Sequence, residues 1–372
     1  MADQVTFAEL TFDEEQLLAN HDFAEPLVAN GVRCHGGFDA GGTYVSPRTL
    51  YRVPAIEAWQ RRHRDLFGTE LLDLALDEFP EHFPNVAQAK LLLSRGAPEP
   101  IIATLTRIGT VEGFGSFLRY STVPDIGRFF ADDVEGTATA HLEHGLIEAH
   151  ARDEAGFGDL AGHNLMWFAA RDIAFDSPVT EDQTALMLER MGIAAPGGGM
   201  PDFARLREMA MANRSLPDDI DFDLESLIER MVRLLLIEIS AFHAFAWAEA
   251  VLSDTELVAG DGEAARIVSY IRSDETPHVE YLKTVLSEMR DRTFVGDGGR
   301  EHPGAEIIAT LWDRGVTDQR GERSNDVRNL IWGEITRAVE GRSDAADLLA
   351  EVDDLATIRR LDDGTWVPKA AA

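Results

Sequence analysis

Glu275 and His278 lie three residues apart in the stretch Ile271-Arg-Ser-Asp-Glu275-Thr-Pro-His278-Val-Glu280-Tyr-Leu282. On a helix this spacing puts a carboxylate and an imidazole on one face. Val268, Ile271, Leu282 and Val285 make the same face apolar in both directions. Burying two such groups without partners costs about 1–3 kcal/mol for each neutral group and more for a charge, and a metal ion removes that cost. Glu238 poses the same problem, because it is the one acid in Leu234-Leu-Leu-Ile-Glu-Ile-Ser-Ala-Phe242. The interval between Glu238 and Glu275 allows a helix, a turn and an antiparallel return to the same height. Glu112, the one acid inside the apolar-periodic stretch from Glu99 to Tyr120, is a fourth candidate ligand.

The elements that must position these groups read as helices. Helical periodicity covers 55–66, 70–78, 85–95, 99–120, a long stretch from 136 to 175, 180–191, 202–213, 222–256, 262–289, 303–314, 323–341 and 343–358. Residues 1–50 read as an irregular lead-in with a short helix near 13–20, and no alternating strand pattern of useful length stands out. Pro277 should kink the helix that carries Glu275 and His278. A shift of the chain by 126 residues lays Glu112 on Glu238, Gly136 on Gly262 and Glu148 on Asp274, as two helix pairs packed around one midplane would require. The expected class is all-α: residues 1–97 as an N-terminal segment with helices, 98–290 as a central bundle with an insertion about 176–221, and 291–372 as C-terminal helices.

Asp274-Glu275-Thr-Pro-His278-Val-Glu280 resembles the Asp-Glu-x-x-His-x-Glu segment of acyl-carrier-protein desaturases, and the four helices together resemble the ferritin-like di-iron carboxylate superfamily. The resemblance implies a ferritin-like four-helix bundle in which Glu112, Glu238, Glu275 and His278 are ligands. The second helix departs from the family pattern, which has a second Glu-x-x-His there. Its stretch Thr137 to Glu154 offers His141, His144 and Glu148 on one face and Glu143, His150 and Glu154 on another. The repeat register favours Glu148, flanking Ile147 and Phe157 favour the second set, and the expected second-helix ligands are His144 with Glu148, with Glu143, His150 and Glu154 as alternates. His163, four residues after Asp159, is a further candidate if the long helix bends at its glycines.

Imidazole and carboxylate ligands without sulfur suit two iron ions, or manganese beside iron. The implied activity is O2-dependent oxidation of a small organic substrate by hydroxylation, desaturation, N-oxygenation or cleavage. The alternatives are an iron-handling ferroxidase and a helical scaffold with ion-paired acids. His243 and Glu249 could line the pocket. Tyr270 and Tyr281 lie near the motif without a feature that singles out either.

Charge and cysteine usage bound the remainder. A net charge of −32 disfavours nucleic acid and anionic membranes as partners. The single cysteine, Cys34, excludes an internal disulfide and a multi-thiolate metal site. A cytoplasmic location follows as the expectation, since the N-terminus has no export signal and the apolar run 234–252 is interrupted by Glu238, His243 and Glu249. A redox partner and a homodimeric state remain open.

Overall fold

The computed structural model describes residues 10–120, 123–175 and 203–369. The chain is mainly helical. Its helices are α1 (Glu14–Leu17), α2 (Arg52–Phe67), α3 (Val86–Ser94), α4 (Glu99–Gly113), α5 (Ile147–Ala155), α6 (His163–Phe175) and α7 (Phe203–Ala212), then α8 (Phe222–Leu252), α9 (Glu263–Asp274), α10 (Thr276–Arg290), α11 (Gly304–Arg320), α12 (Glu322–Val339) and α13 (Ala345–Asp354). The helix expected at 180–191 lies outside the described residues.

Helix α8 is the axis of the fold. Asp221 caps it by accepting the backbone N–H groups of Asp223 and Leu224. It runs about 45 Å at 1.5 Å per residue and packs against α3, α9, α10 and α11. By length and composition it is apolar enough to cross a membrane. Here that character is explained by two apolar cores that share it. One core takes α8 as far as Ile239 together with α10 from Val279 onward, α11 and the N-terminal segment. The other takes α8 from Phe245 onward together with α4, α6, and α9 as far as Ile271. Glu275 and His278 fall in the gap between them, and Glu238 stands at its edge on α8, one residue before Ile239.

Three sequence expectations change. First, residues 1–50 contain a three-stranded antiparallel sheet of β1 (Glu25–Ala29), β2 (Val32–Phe38) and β3 (Tyr44–Val45). Asn30 and Gly31, both at positive φ, close the β1–β2 hairpin between paired Ala29 and Val32, and Asn-Gly is the strongest short-range hairpin signal in sequence. The alternation is hidden because Gly36 and Gly37 stand where side chains would: a Cβ on Gly36 would lie 2.2 Å from the Tyr44 hydroxyl. Second, 70–78 has no regular structure except for a single 3-10 turn at Leu76–Glu78. The segment is tied to α10 by Thr69 donating to Asp291 and by the Leu72 N–H donating to Ser287.

Third, the long helix expected over 136–175 is broken twice. A 3-10 turn at Thr139–His141 and a π turn at Leu142–Leu146, with Gly145 at φ 117°, precede α5. A tight reversal through Gly156 and Gly162 then turns the chain back into α6. A Cβ on Gly162 would sit 2.6 Å from the carbonyl oxygens of both Asp153 and Glu154, so only glycine fits. The stretch 262–289 is likewise two helices, joined at Glu275, with Pro277 in the first turn of α10, where its missing N–H costs least. Two further hairpins, β4 (Thr293–Val295) with β5 (Glu301–Pro303) and β6 (Ile358–Arg360) with β7 (Trp366–Pro368), decorate the C-terminal part.

Candidate metal centre

Two groups of histidine and glutamate side chains meet between the cores, and each could hold a metal ion. His150, Glu154, Glu238 and His278 form one group; Glu112, Glu154, His163 and Glu275 form the other, with the ligand atoms of each group within 4.8 Å of one another. Glu154 belongs to both. His150 and Glu154 stand one turn apart on α5, His163 opens α6, Glu238 lies midway along α8, and Glu275 and His278 flank the α9–α10 break.

His150 Nε2 is 3.1 Å from Glu238 Oε1 and 3.5 Å from Glu154 Oε1. His278 Nδ1 is 2.7 Å from Glu275 Oε2 and 3.2 Å from Glu154 Oε1. His163 Nδ1 is 2.9 Å from Glu275 Oε1, 3.4 Å from Glu154 Oε1 and 3.9 Å from Glu112 Oε2. Close as these atoms are, His150 Nε2, His163 Nδ1, Glu154 Oε1 and Glu275 Oε1 are buried and make no hydrogen bond of acceptable geometry. Four orphaned ligand atoms facing one small volume fit a metal site and do not fit a finished ion-pair network.

Each imidazole is fixed from behind through its other nitrogen. His150 Nδ1 lies 3.0 Å from the Tyr281 hydroxyl, His163 Nε2 lies 3.3 Å from Asp274 Oδ2, and His278 Nε2 lies 2.9 Å from Asp153 Oδ2. Such outer partners set the ring orientation and tautomer of metal-binding histidines. The partners are themselves held. Tyr44 donates to Asp274 at 2.8 Å, and Asp153 is clamped by Arg48 on one oxygen and by Arg52, at 2.8 Å, on the other. The N-terminal segment thus builds part of the site.

Burial and crowding set the protonation states. Burial, then repulsion from Glu275 and Glu112, pushes Glu154 well above the ordinary carboxylate range. Burial also raises Glu275 well above that range, with Glu238 and Glu112 adding repulsion against the pull of His163. Burial would lower His163, but Glu275 and Glu154 outweigh it and raise it well above the usual imidazole value. His278 is lowered to about 3 by burial and by His150 beside it, so it is neutral near pH 7 and able to ligate. Burial raises Asp153, but Arg48, Arg52 and His278 dominate and hold it well below the carboxylate range. In charge, the four glutamates match two divalent ions, and Asp153 with Asp274 match Arg48 with Arg52.

The structure brings Glu112, Glu238, Glu275 and His278 together, and from the second stretch it adds His150 and Glu154. The expected second-helix ligands His144 and Glu148 are corrected: both lie outside the two groups, and the alternates His150 and Glu154 take their place. Glu148 pairs with Arg119 at 3.1 Å and Arg152 at 2.6 Å, and Glu143 and His144 are exposed in the π turn. The π turn rotates the face that a continuous helix would have presented, which is why the repeat register fails there. His163 joins the site because the chain reverses at its glycines. His243 bonds the Leu76 carbonyl at 2.9 Å, Glu249 pairs outward with Arg272, and Tyr270 stacks on Tyr44. Asp153, Asp274, Arg48 and Arg52 were not foreseen. Only Asp274, inside the quoted motif, carried a local signal.

A cavity of about 320 Å³ reaches the centre at Glu112, between α4, α8, α12 and residues 79–83. No family model, curated protein or solved structure matches this chain. The likeness to di-iron carboxylate proteins therefore rests on the residues and their geometry: a helical chain with a buried histidine–glutamate cluster able to hold metal.

Proposed function

We propose that the two groups hold a dinuclear centre, iron in both positions or manganese beside iron, and that the protein is an O2-dependent oxidoreductase acting on a small organic molecule. The observation that supports this most is the pair of adjacent ligand groups sharing Glu154, with four buried ligand atoms left unsatisfied. A scaffold of ion-paired acids would have satisfied them. The donor set contains oxygen and nitrogen but no thiolate, which suits iron and manganese.

Two ferrous ions, when bound, supply the electrons and open positions that O2 activation requires. The chain's own residues do the rest. Asp153, Asp274 and Tyr281 keep the three imidazoles aimed inward. The two apolar cores exclude water on either side. Glu112, the most exposed of the seven ligand-type side chains at 13 %, faces the cavity and has the space to shift as a substrate enters.

The test is to load the metal-free chain anaerobically with ferrous iron, admit O2, and follow oxygen uptake and the visible absorption of the ferric product. The proposal expects stoichiometric O2 consumption that Glu238→Ala abolishes. Uptake no faster than free ferrous iron in buffer, or uptake unchanged in the variant, would overturn it.

A further inference from the structure

We propose that the cavity beside the metal centre takes a small organic anion, an apolar body bearing one carboxylate or phosphate, and that Arg328 binds its charged end. The inference rests on the functional proposal above, because it names the substrate class of that site.

Three helices supply apolar walls: Ile108 and Val111 from α4, Ile237 and Ala241 from α8, and Ile331 from α12. Arg328, also on α12, is half-buried and has no ion pair or hydrogen bond to any described residue. Burial shifts its guanidinium below its usual value, and among the described residues no carboxylate pairs with it, although Glu81 lines the same cavity. The neighbouring arginines differ. Arg107, in the same cavity, is neutralised by Glu334 at 2.6 Å, and Arg320 by Glu78 at 2.7 Å. In a chain of net charge −32, Arg328 shares with Arg230 a partly desolvated guanidinium with no ion pair to a described residue, a costly state, and of the two Arg328 lines this cavity. A bound carboxylate or phosphate would satisfy it through a forked pair of charge-assisted hydrogen bonds.

The placement also orients the ligand. Arg328 and residues 79–83 also line an adjoining cavity of about 400 Å³, whereas Glu112, the metal-centre residue, lines only the first. Arg328 therefore marks the end away from the metal centre, and an apolar body anchored there extends toward Glu112. A C–H bond far from the acid group would then lie nearest the metal centre.

Isothermal titration calorimetry on the metal-free full-length chain, with hexanoate, hexyl phosphate and 1-hexanol as probes, tests this. Both anions should bind about tenfold or more tightly than 1-hexanol. Arg328→Gln should weaken the anions about tenfold to a hundredfold while leaving 1-hexanol unchanged. Hexyl phosphate tighter than hexanoate would support the proposal and assign phosphate as the charged end; the reverse order would assign carboxylate. Ala241→Trp, or Val111→Trp at the exposed rim if the first does not fold, should fill the cavity and abolish binding of all three. Equal affinity for hexanoate and 1-hexanol, no binding of either anion, or anion binding unchanged in Arg328→Gln or the filled variant would overturn it. Because no metal is present, a chain that fails to activate O2 leaves this outcome readable, and the reverse holds too.

Discussion

Glu238, Glu275 and His278 project from helices on which aliphatic side chains flank them on the buried face, whereas His150, Glu154 and His163 project from a glycine-turned hairpin tied down by charge. On the first side, Leu235, Ile239, Ile271 and Leu282 lock the backbone on both flanks of the ligands. On the second, α5 depends on Asp153 held by Arg48 and Arg52, and on turns at Gly156 and Gly162 that admit no side chain. Apolar packing is non-directional and tolerates small shifts. A buried ion cluster is not tolerant: removing one member leaves the others charged and unpaired. The hairpin side should therefore be the fragile one, and it carries the ligand shared by both groups.

The largest effect is expected from Glu154→Ala, which removes a ligand from both groups. Bound metal should fall from about two ions per chain toward none by elemental analysis. Loss of one ion with the other retained at full affinity would show that Glu154 is not shared. Next, Arg52→Met leaves Asp153 with Arg48 alone and frees His278 to turn. Affinity for the tighter ion should drop about tenfold to a hundredfold by competition with a chelator, and the metal-free melting temperature should fall as well. A comparable aliphatic truncation on the other side, Leu282→Ala, should lower the melting temperature while moving metal affinity less. If the two variants changed metal affinity equally, the distinction between the sides would fail. Gly115→Ala sharpens the comparison further, because its Cβ would meet the Glu154 Cβ at 2.2 Å; both metal affinities should weaken although no ligand is removed.

The pH dependence follows from the same crowding. Between the ordinary carboxylate range and their raised values, Glu154 and Glu275 hold protons in the folded metal-free chain that the unfolded chain has released. His163 acts in the same direction above the usual imidazole value. These three groups therefore destabilise the metal-free protein as pH rises from about 5, whereas His278, His35 and His82, depressed in the folded chain, oppose them up to the ordinary imidazole value, so the net fall in stability shows above about pH 7. Metal affinity rises over the same interval, because each ion displaces those protons. The gap in melting temperature between manganese-loaded and metal-free protein should widen from about pH 5.5 to about 8, and calorimetry in buffers of different ionisation enthalpy should show proton release. A gap that narrows with pH would contradict these protonation states. The smallest effect is expected from Glu148→Gln, which touches only Arg119 and Arg152 and should leave metal content unchanged.

The same contrast governs how much could be read from sequence. Where a regular helix crosses an apolar core, spacing and burial are enough, so Glu112, Glu238, Glu275 and His278 stand out as isolated polar groups on apolar stripes. Where backbone irregularity sets direction, they are not. The π turn before α5 rotated the face expected to carry His144 and Glu148, and the reversal at Gly162 brought back His163. Arg48 and Arg52 gave no local signal, because their partner Asp153 lies about a hundred residues away. The Asn30-Gly31 hairpin was legible but masked by the glycines in β2. Mainly helical architecture was evident from periodicity, and the breaks that shape the site were visible only as the glycines that permit them.

Metal stoichiometry tests the central claim most directly. The full-length protein, purified with iron and manganese supplied, should contain about two equivalents of these metals per chain, and the Glu238→Ala, His278→Ala double variant should retain its helical circular dichroism while losing them. Less than about a tenth of an equivalent in the wild type, with the double variant equally folded and equally empty, would contradict a metal centre and leave the cluster as a set of protonated, buried acids.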